Sequence, residues 1–430
     1  MKKNQGLKDF YILWSTQSLS QLGSAMTSFA LTLWLYEKTG SALSTAALTI
    51  CTYAPYVLMS IFAGAISDKY DKKKTMLVCD ALAAATTVLV FILYKTDSLA
   101  VWHLYAVNAF SGLMNTVQQP ASEVANTLVV PREHYQKISA YQSLSRSVIA
   151  IGNPLLAAAL YGLAGLPVVI GVDMATFAVA FLALLLFIRL PEVKNASGKE
   201  EKVLKLAKEG LQFLKEHRLV LDVILFMSGV NLIASAFDAV LPALVIPRRG
   251  SAVLGVVTSC SGIAMVLGSL FATVMRKPRD RVRVIYLTML FSLGTENFLL
   301  AFSRSPVLWC IGQVIGWVLV PVMGANQNVI MRNSIPVELQ GRVYACRNTL
   351  QFFTIPIGLA LGGFMVDQIC EPFMSAYGSG GFLAVLFGSG KGAGAALMMF
   401  ILGVAGIVWC LAAGRRLRKY HYSDEGGTAL

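Results

Sequence analysis

The 430-residue sequence predicts an all-α membrane protein of twelve transmembrane helices arranged as two pseudo-symmetric six-helix bundles, and three observations carry that prediction. Apolar runs of about 20 residues recur along the chain, the length at which a helix crosses a hydrocarbon core about 30 Å thick. Basic residues gather in alternate connections between these runs. A ten-residue pattern in the first half returns in the second. Hydrophobic residues make up 56% of the chain and charged residues 14%, so a soluble fold has too little polar surface to cover it.

The spans fall at about 10–36, 43–66, 75–94, 100–119, 138–162 and 168–188, then 220–246, 252–275, 284–302, 307–331, 346–367 and 395–413. Each reads as a helix because backbone in lipid must satisfy its own hydrogen bonds. A β-barrel would show short alternating segments instead, and the sequence has none. The first span follows the basic start MKKNQGLKDF. It is far longer than the apolar core of a cleavable leader and lacks a small-x-small cleavage site, so it is expected to remain as the first helix.

Orientation follows from lysine and arginine placement. Of the 36 basic residues, 29 fall on the side of the N-terminus and six on the other, with Arg146 inside a span. Both termini are therefore expected in the cytoplasm. The net charge of +13 is then topological, matching the anionic inner leaflet of the lipid bilayer, and nucleic acid is not needed as a partner.

Between the sixth and seventh spans lies the longest polar connection. In it Val203, Leu206, Ala207, Gly210, Leu211 and Leu214 recur at helical spacing, which predicts an amphipathic helix on the membrane surface. The chain thus divides into an N-terminal six-helix bundle, 1–190, a cytoplasmic linker, 191–218, and a C-terminal six-helix bundle with a short cytoplasmic tail, 219–430. PREHYQKISA, Pro131 to Ala140, aligns without a gap on PVELQGRVYA, Pro336 to Ala345. Both copies connect the fourth and fifth spans of their half, as a duplicated six-helix unit predicts.

Seven scattered cysteines give no disulfide framework, and His103, His134, His217 and His421 form no ligand-spaced cluster, so neither a metal nor a cofactor is expected. FGSGKGAG, Phe387 to Gly394, is a failed phosphate-binding loop. Val385 stands where the first glycine belongs and Gly392 where Ser or Thr should be. No nucleophile, metal cluster or cofactor loop points to an enzyme.

The stretch GAISDKYDKKKT, Gly64 to Thr75, connects the second and third spans. It resembles the signature loop of the major facilitator superfamily through Gly64, Asp68, Lys69, Lys72, Lys73 and Lys74, with Asp71 where most members have glycine. The resemblance implies the major facilitator fold and a cytoplasmic gate in which this loop latches the two halves. Asp80, Glu123 and Arg342 resemble positions of the same inner gate. SQLGSAMTSFAL, KKKTMLVCDAL, PASEVANTLVVPREHYQKISAYQSLSR, GVDMATF and GRVYACRNTLQFFTIPIGLALGGF extend the resemblance over nearly the whole chain. They look like the proton-coupled drug exporters related to bacterial macrolide-efflux proteins.

That likeness implies a monomer in the bacterial inner membrane that exports an amphipathic organic compound by alternating access in exchange for protons. Siderophore or lysophospholipid transport is the alternative, and a non-transporting receptor or scaffold a further one. Two departures bear on coupling. The fifth span has GNPLLAA where antiporters often carry G-P-x-x-G-G, and the first span has no buried carboxylate, Glu37 lying at its outer end.

Ionisable residues inside spans are costly and so mark function. Asp238, Arg146, Asp173 and Glu296 are the proton-coupling candidates, with Arg146 able to neutralise Asp173 or Glu123 or to stand near substrate. Gln17, Gln21, Asn115, Gln118, Asn231, Phe237, Asn326 and Gln327 are the cavity candidates, with Trp34, Tyr53 and Trp317 as further aromatic walls. Amides with aromatic surfaces suit bulky ligands that need few directional bonds. Pro120, Pro154, Pro242, Pro321 and Pro356 are places to bend, and the Gly- and Phe-rich connection from Asp367 to Gly394 is expected to be a loop or partial lid.

Overall fold

A computed structural model of the chain describes residues 3–69, 71–129, 135–188, 203–423 and 427–429. The described residues are almost wholly helical and fall into two compact units, Met1–Lys38 with Ala47–Lys199, and Thr39–Ala46 with Glu200–Leu430.

The first unit holds α1 (Lys3–Thr39), α2 (Ala42–Lys69), α3 (Lys72–Lys95), α4 (Val101–Val129), α5 (Tyr135–Ala164) and α6 (Leu166–Leu186), apart from the first residues of α2, which belong to the second unit. One core joins these helices through Met26, Leu31, Leu48, Val90, Leu104 and Ile170. A second, around Leu13, Met76, Ala121 and Leu184, sits at the other end. Asp71 explains its own departure from glycine: it caps α3, its carboxylate accepting from the Lys74 N–H at 2.8 Å. Such a cap stabilises a helix start by about 1 kcal/mol.

The second unit holds α7 (Val203–Glu216), α8 (Arg218–Arg249), α9 (Ser251–Val274), α10 (Arg281–Phe302), α11 (Pro306–Val318), α12 (Val320–Ser334), α13 (Val337–Phe352) and α14 (Thr354–Phe364). A π-helical segment, Met365–Cys370, leads into α15 (Glu371–Tyr377), α16 (Phe382–Phe387) and α17 (Ala393–Leu417). Two short antiparallel strands, His421–Ser423 and Gly427–Ala429, follow α17.

Ten stretches among the described residues are long and apolar enough to cross a membrane. The predicted first and fourth spans coincide with α1 and α4, which are long enough but too polar to be among the ten. Two predicted spans are each broken. The tenth divides at Leu319, two residues before Pro321, and the eleventh at Phe353, three before Pro356. Proline has no N–H to donate and its ring crowds the carbonyl four residues back, so the helix opens there. By contrast α5 runs through Pro154 and α8 through Pro242.

Close packing uses small residues. Gly358 and Gly362 of α14 lie against the Leu232 and Ala236 carbonyls of α8, where a β-carbon would collide. This G-x-x-x-G spacing lets two backbones approach where burial of apolar surface gives no drive between helices. Helix α7, predicted to lie on the membrane surface, buries Phe213 and Leu214 among Val220, Ile224, Met331 and Val343, while Leu211 of the predicted apolar stripe is exposed.

The connection expected as a loop or partial lid is helical and tied down. Arg248 Nη2 donates to the Phe387 and Gly392 carbonyls at 2.6 and 2.9 Å, and Arg304 Nη2 to those of Ala384 and Val385 at 3.2 and 3.0 Å. Glu371 Oε1 accepts from the N–H groups of Gly392 and Ala395, closing the start of α17. Gly388, Gly390 and Gly392, the remnant of the phosphate-loop pattern, have φ of 89°, 80° and 89°, a turn that side-chain-bearing residues resist.

Candidate functional site: a polar cavity in the first unit

Helix α1 turns Gln17, Gln21, Ser24 and Ser28 to one face, and α4 turns Ser111, Asn115, Gln118 and Ser122 to one face at the same four-three-four spacing. That spacing follows one side of a helix of 3.6 residues per turn. The two polar stripes line a cavity of about 610 Å³ inside the first unit. They also make α1 and α4 more polar than the ten apolar stretches.

The rest of the wall comes from α3, α5 and α6. Helix α3 supplies Asp80 and the small residues Ala83, Ala84 and Thr87; α5 supplies Gln142 and Arg146; α6 supplies Asp173, Met174 and Phe177. Helix α5 is held against α1 by Trp14 Nε1 donating to the Tyr141 carbonyl at 3.0 Å and by the Ser18 and Ser145 hydroxyls at 2.7 Å. Helix α6 is held by Ser24 Oγ, which donates to Asp173 Oδ1 at 2.9 Å, and by Gly23, whose missing side chain leaves room for Thr176.

Asp80 Oδ1 accepts from Gln118 Nε2 at 2.5 Å, so this carboxylate faces the cavity and is held by α4. Asp173 is 4% exposed and paired with Ser24. Arg146 is exposed on the cavity wall and forms no ion pair with Asp173 among the described residues. Gln17 Nε2 lies beside Asp80 and Thr27 Oγ1 beside Asp173; both atoms are buried in the wall, and neither closes a well-formed hydrogen bond. The arrangement has two carboxylates, one guanidinium, several amides and two aromatic residues, Trp14 and Phe177. Its volume lies in the range that takes a drug-sized ligand, about 300–1,000 Å³.

The other predicted residues lie elsewhere. Gln17, Gln21, Asn115 and Gln118 line the cavity; Asn231, Phe237, Asn326 and Gln327 belong to the second unit. There Asn231 Nδ2 donates to the Gln351 carbonyl and Gln327 Nε2 to Gln351 Oε1, each at 2.9 Å. Asn326 Oδ1 accepts from Arg281 Nη1 at 2.9 Å, and Phe237 is 3% exposed. Phe237, Asn326 and Gln327 are buried in the interior of their unit, and Asn231 is half-buried. Asp238 is exposed on α8, and Glu296 is buried on α10.

Of the loop residues, Gly64, Asp68 and Lys69 fall at the end of α2 and Glu123 on α4, with side chains outside the described residues. Lys72 is buried. Lys73 Nζ donates to the Leu185 and Ile188 carbonyls at 3.0 and 2.7 Å, neutralising the carboxyl end of α6. Arg342 pairs with Glu209 of the linker helix.

The Major Facilitator Superfamily profile matches residues 13–359. The chain belongs to that superfamily. Among curated proteins, macrolide efflux protein A of Streptococcus pyogenes is 25% identical over 375 residues, 86% of this chain and 92% of that one. Multidrug efflux pump Tap of Mycolicibacterium fortuitum is 24% identical over 80% of this chain and 86% of its own. Two solved structures share the fold. A bacterial homolog of the human lysosomal transporter Spinster superposes with a TM-score of 0.71 at 15% identity, covering 99% of this chain and 100% of that one. The nucleoside transporter NupG gives 0.67 at 14% identity, covering 96% and 99%.

Several residues of this superfamily member escaped the sequence reading. Ser24, Ser28, Ser111 and Ser122 complete the two stripes, and their spacing was a usable signal. Glu209, Gln351 and Asp367 had none, because their partners are more than a hundred residues away or, for Gln351, set by where α13 packs. Arg281, within a run that reads as topological charge, is 8% exposed and bonded inside the second unit.

Proposed function

We propose that this protein is a secondary transporter that exports an amphipathic organic compound across the bacterial inner membrane by alternating access, in exchange for protons, with both termini in the cytoplasm. The observation that carries the reading is the cavity itself, a polar, carboxylate-bearing, partly aromatic space of about 610 Å³ within a bundle of membrane-length helices. Such a space suits a ligand with an apolar body and few directed polar groups. Two carboxylates against one guanidinium favour a cation, and the Gln17 amide and Thr27 hydroxyl beside them supply further hydrogen bonds. The names of the relatives, macrolide and multidrug efflux proteins, support the same class of cargo.

Gly64, Asp68 and Lys69 are proposed as the moving part of a cytoplasmic gate. Asp71 caps α3 and Lys73 holds α6, so the α3 side of the loop, Lys72 included, stays fixed while the rest moves.

The test is uptake into everted membrane vesicles of a panel containing a labelled macrolide, ethidium and a lysophospholipid, with and without a protonophore. Accumulation of a drug that the protonophore abolishes is expected. Movement of the lipid alone, with no drug accumulated, would replace the drug reading with the lipid one.

A further inference from the structure

Helix α10 carries a single carboxylate, Glu296, about two-thirds of the way along its length. It is 5% exposed, and its Oε1 closes no hydrogen bond. The carboxyl group rests on Gly316 of α11, where a β-carbon would collide with it. One turn earlier on α10, Ser292 Oγ donates to the Gly316 carbonyl and pins the two helices at that level. The Trp317 indole lies beside the carboxylate, and its Nε1 is also buried without a closed hydrogen bond. From α8, Asp238 lies within electrostatic reach of Glu296. Asp238 is accessible to solvent but closely surrounded by protein, and Phe237, Ala239 and Val240 beside it are buried.

Among the described residues no cation balances this group. Besides Asp238, the charged residues of α8 are at its ends, Arg218 and Asp222 at one and Arg248 and Arg249 at the other. Helix α11 brings Gln313, Gly316 and Trp317, while α16 and the apolar length of α17 carry no charged residue before Arg415. On α12 the one charge is Arg332, near its end, and α10 itself has Arg281 and Arg283 in its first turn. The terminal strand that meets α10 includes His421. An ionised carboxylate buried without a partner costs several kcal/mol or more, whereas the neutral acid does not.

We infer that Glu296 is a proton-binding site of the second unit, loaded and unloaded through the exposed Asp238, in a different unit from the cavity that takes the organic substrate. The inference rests on the antiport reading above. A proton taken up by the Asp238 carboxylate passes to the Glu296 carboxylate, which becomes the neutral acid as Asp238 returns to the anion. Release runs the same steps backwards. The two carboxylates repel when both are charged, so a shared proton is the stable loaded state. Gly316 and Trp317 are positioning residues: the first gives the carboxyl group room, and the second faces its N–H toward the transient anion.

The experiment uses the full-length protein in proteoliposomes with ethidium as probe. It measures both accumulation driven by an imposed pH gradient and exchange of ethidium at equilibrium. At ethidium concentrations that saturate the protein, Glu296→Gln is expected to keep an exchange that no longer depends on pH and to lose roughly 100-fold in gradient-driven accumulation, the scale of a positioned proton carrier. Glu296→Asp, which keeps a titrating group, is expected to retain coupled accumulation in part. A pH titration of tryptophan emission gives a second readout. The wild type should show a step that is absent from both Trp317→Phe and Glu296→Gln. Gradient-driven accumulation by Glu296→Gln at the wild-type rate, or no Glu296-dependent emission step, overturns the inference. If the wild type itself fails to accumulate ethidium while the emission step is present, the proton site stands and the antiport reading falls.

Discussion

Asp367 and Ser41 close the start of α2. Asp367 Oδ2 accepts from Ser41 Oγ at 2.7 Å and from the Leu43 N–H at 2.8 Å, and Oδ1 from the Ala42 N–H at 3.0 Å. The first N–H groups of a helix have no partner within it, and its dipole favours an anion there. The carboxylate comes from the π-helical segment, and Gly363 two residues before that segment lies against the Leu43 backbone.

Asp367→Ala should therefore cost about 1–2 kcal/mol, the scale of a lost helix cap with its charge. Asp367→Asn, which keeps an acceptor oxygen, should cost less. The thermal unfolding midpoint in detergent checks both. Equal midpoints for wild type and Asp367→Ala would show that the cap contributes nothing.

The cavity predicts a charge-selective loss. Asp80→Asn removes the carboxylate held by Gln118 and should weaken uptake of cationic ethidium by roughly tenfold or more, as expected for a charged hydrogen-bonding partner. An uncharged drug should lose much less. Equal losses for both would assign Asp80 to the frame of the cavity instead of its selectivity.

Packing of α14 on α8 leaves no space at Gly358, where a β-carbon would meet the Leu232 carbonyl and Ser235 Oγ. Gly358→Leu should destabilise by about 1–3 kcal/mol through overpacking. The measurement is the yield of monodisperse protein and its unfolding midpoint. Gly324→Ala, at an open position, is the control expected to match wild type.

On the linker helix, burial should outweigh charge. Phe213 is 6% exposed, and Phe213→Ala should cost up to about 3–5 kcal/mol, the cost of emptying a core site. The Glu209–Arg342 pair is about a third exposed on each side, and Glu209→Gln should cost less than about 1 kcal/mol. Limited proteolysis within the linker reads both, with fast cleavage expected only for Phe213→Ala.

Much of the fold was legible because lipid imposes simple rules. Length and apolarity marked the spans, and Pro321 and Pro356 account for the two breaks. The site was half legible. Gln17, Gln21, Asn115 and Gln118 stand out as amides inside spans, and the periodicity that makes them stripes extends to four serines. Asn231, Asn326 and Gln327 look the same locally but are consumed by Gln351 and Arg281, partners fixed by helix packing. Asp80 resembles a gate position of the superfamily, and that its side chain also lines the cavity was hidden because Gln118, on another helix, holds it there. The helical order of 371–387 was hidden because short helices rich in glycine borders have weak patterns, and Arg248 and Arg304 reach them from distant segments.

The most direct test of proton-driven export is to add ethidium to purified protein in weakly buffered detergent solution and follow a pH indicator while tryptophan quenching reports binding. Ethidium binding is expected to release protons into solution and to weaken as the pH is lowered. Saturable ethidium binding with no proton released, and with an affinity unchanged from pH to pH, would contradict proton-driven export.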